Sequence, residues 1–263
     1  LVFLSLALVC AMAIFATAGM NRSPIAIAES TELSGDTSPA AYVAEKNANS
    51  VVGVLTNSQS WSSSNGVTNQ LVAQGSGVVI REGGYVVTNN HVIEDGTAYQ
   101  ILMPNGDKID ATLVGADSSM DLAVLKVDDE EAAKTLVPVN IGSTSELKVG
   151  STAIAIGNPG GEVLANTVTQ GIISALERTS VSASNSSRSI SYIQHDAAIN
   201  SGNSGGGLFN YKGELIGINT LKYSGSVYST TTFEGLGFAI PVETVSEISD
   251  DLIEYGKVIR PGL

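Results

Sequence analysis

The sequence predicts an all-β protein: two packed six-stranded antiparallel β-barrels followed by a short C-terminal helix. Three observations carry this. Apolar segments of strand length recur along the chain, separated by turns rich in Gly, Asn and Ser. They fall into two successive sets of six, each about ninety residues long. Clear helical spacing of apolar residues is confined to the end of the chain.

In the first set, residues 51–55, 77–80, 85–88, 99–102, 108–111 and 121–127 read as strands. Gly83-Gly84 and Asn105-Gly106 are hairpin signals, because both dipeptides accept the positive φ angles of tight turns. Residues 59–69, rich in Ser and Asn, read as a flexible loop. In the second set the strands are 151–156, 167–174, 191–195, 207–210, 214–220 and 235–239, with a Ser-rich loop at 180–189. Residues 241–255 place Val242, Val245, Ile248, Leu252 and Ile253 at near-helical spacing, with Pro241 at the start and Gly256 at the stop.

Ahead of the strands, residues 1–18 form an apolar run without charge. It fits the core of a signal peptide or a membrane anchor, and small-x-small cleavage patterns follow at Ala16-Thr17-Ala18 and Ala26-Ile27-Ala28. Either reading puts the rest of the chain outside the cytoplasm. The expected organisation is therefore a signal peptide or anchor over 1–28, a linker over 29–49 with one short helix near 40–46, and a folded domain over 50–258. Within that domain the barrels cover about 50–140 and 141–240, and the helix covers 241–256.

Composition narrows the function. Of 263 residues 43% are hydrophobic and 15% charged, which suits a globular protein. The net charge of −13, with no basic patch, argues against nucleic-acid binding. The one cysteine, Cys10, leaves stability to core packing. The sequence holds no His-x-x-x-His pair, Cys pair or calcium-type loop, so neither metal nor cofactor is expected. Gly157-Asn158-Pro159-Gly160-Gly161 lacks the Lys-Ser/Thr ending of a phosphate loop and reads as a turn.

The chemistry concentrates at Gly202-Asn203-Ser204-Gly205-Gly206. Glycines on both sides let a serine stand on a tight turn with its backbone N–H groups aimed at one point, as a developing oxyanion requires. A serine hydroxyl needs a base, and the chain has two histidines, His91 and His195. The base needs a carboxylate, for which Asp121 at the mouth of an apolar strand and Asp117 four residues earlier both qualify.

Three motifs together resemble the HtrA/Deg serine proteases: Thr88-Asn89-Asn90-His91-Val92, Asp121-Leu122-Ala123-Val124-Leu125-Lys126, and the stretch from Asp196 through Asn200 to Gly206. Further matches are Gly75-Ser76-Gly77-Val78-Val79, Ala155-Ile156-Gly157-Asn158-Pro159, Thr169-Gln170-Gly171-Ile172-Ile173-Ser174 and Gly237-Phe238-Ala239-Ile240-Pro241. The order His, Asp, Ser is that of chymotrypsin-type enzymes. The resemblance implies a chymotrypsin-like fold, with His91 as general base, Asp121 as its orienting carboxylate and Ser204 as nucleophile. It implies an oxyanion hole from Gly202, Asn203 and Ser204, and a substrate pocket from Ala198, Ile199, Thr220 and Leu221. An alanine at the pocket floor implies cleavage after small aliphatic residues. Asn203 stands where digestive relatives carry an aspartate paired with a freed N-terminus, so ordering by substrate or partner is the expected activation. His195 replaces a common Thr and is expected to lend pH sensitivity. The resemblance further implies unfolded or misfolded protein substrates, a homotrimer, a place in the bacterial cell envelope, and a linker to a PDZ domain opening at 259–263. The alternative is a protease-fold chaperone or peptide-binding module with little turnover.

Overall fold

The computed structural model describes residues 38–62, 66–160, 164–179, 191–220 and 235–260. All lie in one compact unit that begins at Ser38. The apolar run at 1–18, the Ser-rich loop at 180–189 and Leu221 lie outside the described residues. Among the described residues no helix is long and apolar enough to cross a membrane.

The first barrel closes in the order β1 (Val51–Ser62), β2 (Gly66–Arg81), β3 (Tyr85–Thr88), β6 (Leu122–Val127), β5 (Lys108–Asp117) and β4 (Ala98–Leu102), with β4 returning to β1. Both expected hairpins are present. Gly83 and Gly84 take φ of 82° and 76° between β2 and β3, and Gly106 takes 91° between β4 and β5. The second barrel runs β11 (Gly207–Phe209), β8 (Thr152–Gly157), β9 (Thr167–Thr179), β10 (Ser191–His195), β13 (Gly237–Pro241) and β12 (Glu214–Thr220), closed by pairing of β11 with β12. A two-residue strand, β7 (Asn140–Ile141), adds to β12 in parallel and is too short to leave a periodic signal.

Strand alternation sorts the side chains. In β6, Leu122 and Val124 face one apolar cluster while Ala123, Leu125 and Val127 face another, inside the first barrel. In β8, Ile154 and Ile156 join the cluster of Leu122, while Ala153 and Ala155 line the second barrel. The shared cluster, with Val51, Val78 and Val87 from one barrel and Phe209, Ile218 and Ile240 from the other, is the seam between them. Strands buried on both faces read as unbroken apolar runs, which is why 121–127 shows no polar alternation. The C-terminal helix seals the seam with Val242, Val245, Ile248 and Leu252 and stops at Gly256, whose φ of 69° suits glycine.

Two expectations are corrected. Of the loop expected at 59–69, residues 59–62 and 66–69 are instead paired strand, Gln59 facing Asn69 and Ser62 facing Gly66, and 63–65 lie outside the described residues. The register is set by the apolar half of the hairpin and carried outward by main-chain hydrogen bonds, which need no apolar side chains. Beyond Asn57 β1 loses its pairing with β4, so the hairpin continues as a two-stranded ribbon. The segment expected as linker up to residue 49 carries α1 (Pro39–Lys46), near the short helix expected at 40–46 but packed into the fold. Ser38 caps it, accepting from the Ala41 N–H at 3.2 Å, and Val43 is fully buried in the seam cluster. Asn47 then donates to Val43 and Gly213 carbonyls. Val43→Ala should lower unfolding stability by about 2 kcal/mol in urea titration; an unchanged midpoint would return this segment to the status of a linker.

Candidate active site

His91 sits on α2 (Asn90–Ile93), a single turn that follows β3 directly. A four-residue helix is too short for the 3.6-residue pattern to show, so the sequence presented it as a strand end. Asp121 ends the turn between β5 and β6 and takes a φ of 53°, unusual for a residue with a side chain. Its main-chain carbonyl accepts from Asn89 Nδ2 at 3.0 Å. Its carboxylate meets His91 at three points: Oδ1 accepts from the His91 backbone N–H at 3.0 Å, and Oδ1 and Oδ2 lie 3.0 and 2.8 Å from Nδ1. Thr220 Oγ1 donates to Oδ2 at 3.2 Å. These contacts fix the proton of the neutral imidazole on Nδ1 and leave Nε2 as the acceptor.

The rival Asp117 is placed elsewhere. Its carboxylate caps the same turn, accepting from the Ser119 N–H at 3.0 Å and hydroxyl at 2.7 Å, and is paired with Arg260 beyond the C-terminal helix. Arg260 also reaches Ser119 Oγ at 2.7 Å, so the turn that presents Asp121 is held from both sides.

Ser204 belongs to the second barrel. Residues 200–203 form a turn in which the Asn203 N–H donates to Asn200 O at 3.0 Å and Gly202 takes a φ of 99°. Positive φ at the third position alone marks a type II turn. Gly202 also lies too close to Asn158 O and Pro159 Cα for any Cβ, at 2.8 Å from each. The Asn203 N–H is consumed by the turn, which removes it from the expected oxyanion donors and leaves Gly202 and Ser204 as the pair to consider. Gly205, at φ 84°, passes so near Ser76 O that only glycine fits.

His91, Gly202 and Ser204 share one cleft of about 300 Å³ with Ala73, Gln74, Val92 and Ser201. A larger groove of about 430 Å³, lined among others by Thr144, Glu177, Tyr192 and Glu243, shares no residue with it and holds no such set of reactive groups. Of the expected pocket residues, Ala198 is exposed, its carbonyl accepting from Thr169 Oγ1 at 3.0 Å, and Ile199 packs against the second-barrel core. Thr220 is buried and turned to Asp121, a contact the sequence reading did not foresee. Among the described residues no cluster of His, Cys, Asp or Glu could hold a metal.

Residues 75–218 match the family model described as a trypsin-like peptidase domain. The chain belongs to this family, among its HtrA/Deg members. The chain is 46% identical to a Serine protease Do-like HtrA of Bacillus subtilis over 191 residues, which is 71% of this chain and 41% of that protein. It is 47% identical to a Probable periplasmic serine endoprotease DegP-like of Brucella suis over 189 residues, 72% of this chain and 34% of that protein. It thus spans less than half of these curated relatives. A serine endoprotease from Yersinia pestis superposes with a TM-score of 0.67 at 39% identity, covering 86% of this chain and 70% of that one. The HtrA-type protease AlgW with tripeptide gives 0.67 at 35% identity, covering 84% and 65%.

His195 corrects a further expectation. It is fully buried on β10, its ring filling the space beside Gly237. Burial pushes its pKa down to about 4, although Asn219 and the charge of Asp196 pull the other way. It is therefore neutral throughout the range in which an unperturbed histidine would switch. Between 4 and the ordinary 6.5 the unfolded chain binds a proton that the folded chain refuses. Stability should be complete above about pH 6.5 and fall as pH drops towards 4, by on the order of 3 kcal/mol from this group. In His195→Gln, denaturant melts across that window should lose this part of the pH slope; an identical slope would overturn the assignment.

Proposed function

We infer that this chain is an exported serine endopeptidase of protein quality control, hydrolysing peptide bonds in unfolded or damaged proteins through an acyl-enzyme. The observation that carries it is His91, clamped by the Asp121 carboxylate on its Nδ1 side and opening on its other side to the cleft that contains Ser204. The names of the relatives, serine proteases and a periplasmic serine endoprotease, support the same reading.

In this reading Ser204 Oγ attacks the scissile carbonyl carbon as its proton passes to His91 Nε2. Asp121 stabilises the imidazolium across the 2.8 Å contact and is never itself protonated. The carbonyl oxygen, now an oxyanion, accepts from the Gly202 and Ser204 N–H groups, donors whose individual loss typically costs on the order of 100- to 1000-fold. The imidazolium protonates the leaving amine, and water repeats the sequence on the ester to release the acid and restore Ser204. Exposed Ala198 offers an uncharged floor to the substrate pocket, where a basic side chain gains no ion pair. The enzyme acts outside the cytoplasm as a homotrimer assembled through the N-terminal part of the domain. Tyr42 on α1, with Val137, Ile141 and Tyr211, offers exposed apolar surface for such an assembly.

Casein degradation should fall by on the order of a millionfold in Ser204→Ala. Equal activity in both would overturn the peptidase reading, and a holdase effect without turnover in either would favour the chaperone module. In a peptide library, cleavage should follow Val and Ala; comparable cutting after Lys or Arg would exclude the uncharged pocket.

A further inference from the structure

Ser76 lies on β2 in the first barrel and is completely buried, yet all its polar groups are engaged. Its N–H donates to Ser204 O at 2.8 Å. Its carbonyl accepts from Thr88 Oγ1 at 2.7 Å. Its hydroxyl donates to Gly202 O at 2.6 Å and accepts from the Asn158 N–H at 2.8 Å. We propose that Ser76 is a positioning residue for the peptidase reaction, holding the nucleophile turn of the second barrel in register with the histidine of the first. The proposal rests on the function inferred above.

The geometry follows the chain of bonds. Thr88 ends β3, three residues before His91, so its hydroxyl ties Ser76 to the element that presents the imidazole. Two further bonds of Ser76 reach the carbonyls of Gly202 and Ser204, on either side of the Asn203–Ser204 peptide that carries one oxyanion donor. The Gly202–Asn203 peptide is thereby pinned at both ends: its oxygen by Ser76 Oγ, its N–H by Asn200 O. One residue thus sets Ser204 against both its base and its oxyanion donors. A shift of about 1 Å in such a constellation costs on the order of a hundredfold in rate.

Neither alanine nor cysteine substitutes. The hydroxyl must donate and accept at once, which alanine cannot do and a thiol does weakly. Space is also tight: a Cβ on Gly157 would lie 2.9 Å from Ser76 Oγ.

The test uses the full chain and a fluorogenic peptide with Val before the cleaved bond. Ser76→Ala should lower kcat about 100-fold with KM within about threefold, an unchanged acid limb of the pH–rate profile and a native near-ultraviolet circular dichroism spectrum. Ser76→Cys, with the same shape and a weaker donor, should fall between the two. Unchanged kcat in a folded Ser76→Ala overturns the proposal. So does loss of activity in strict proportion to loss of folded protein in Ser76→Cys, which would make the role merely structural. If the wild type shows no Ser204-dependent turnover, the peptidase reading fails and the positioning role falls with it. Loss confined to the Ser76 variants leaves that reading intact.

Discussion

The seam between the two barrels is the constraint on which the rest depends. His91 and Asp121 belong to the first barrel and Ser204 to the second, so they meet only because an apolar cluster fixes one barrel on the other. Its side chains come from both barrels and both longer helices, and each fully buried aliphatic group contributes about 1.5–3 kcal/mol. Apolar burial is strong but non-directional, and it sets how deeply the barrels pack better than how they align. Alignment comes from the few polar contacts that cross the seam, where a hydrogen bond is satisfied in one geometry only. Ser76 to Gly202 and Ser204, Asn158 to Ser76, and Thr220 to Asp121 are the crossings beside the cleft.

The fold was largely legible because strands leave two kinds of trace. Gly83-Gly84 and Asn105-Gly106 declared their hairpins through backbone angles that few other residues accept. Apolar runs such as 121–127 declared burial. What stayed hidden had no composition of its own. The ribbon of residues 59–62 and 66–69 is paired through its main chain. The helix near 40–46 was expected, but its packing into the fold rests on a single buried side chain, Val43, which leaves no periodic trace. At the site, residue chemistry left His195 and Asp117 as rivals, and His91, Asp121 and Ser204 could be named because their three motifs, in that order, resemble the HtrA/Deg serine proteases. Ser76 could not, because a serine between glycines has the look of any turn and three of its four partners are 82, 126 and 128 residues away. Thr220 was assigned to the pocket for the same reason: nothing local shows that its hydroxyl meets a carboxylate 99 residues earlier.

Charge is distributed unequally across the cleft, and this bears on control. On the first-barrel side the Asp121 carboxylate is mostly buried and held by the His91 ring, the His91 backbone and Thr220, which a desolvated charge requires. The left-handed φ at Asp121 adds strain on the order of 1 kcal/mol, opposed by Asn89 on its carbonyl and by the Asp117–Arg260 clamp on the turn. That half is stiff. Behind Ser204 the partners are neutral: the Ser76 hydroxyl, Asn200 O, the Asn158 N–H and Asn219 O, which accepts from the Gly205 N–H at 3.0 Å. Each such bond contributes about 0.5–1.5 kcal/mol net. A turn held by several weak bonds changes its ordered population about tenfold when one of them is made or lost. A buried ion pair at Asn203 would hold the turn far more tightly. Amide in that place carries no charge, so the turn rests on neutral hydrogen bonds while the base and its carboxylate share a charged contact.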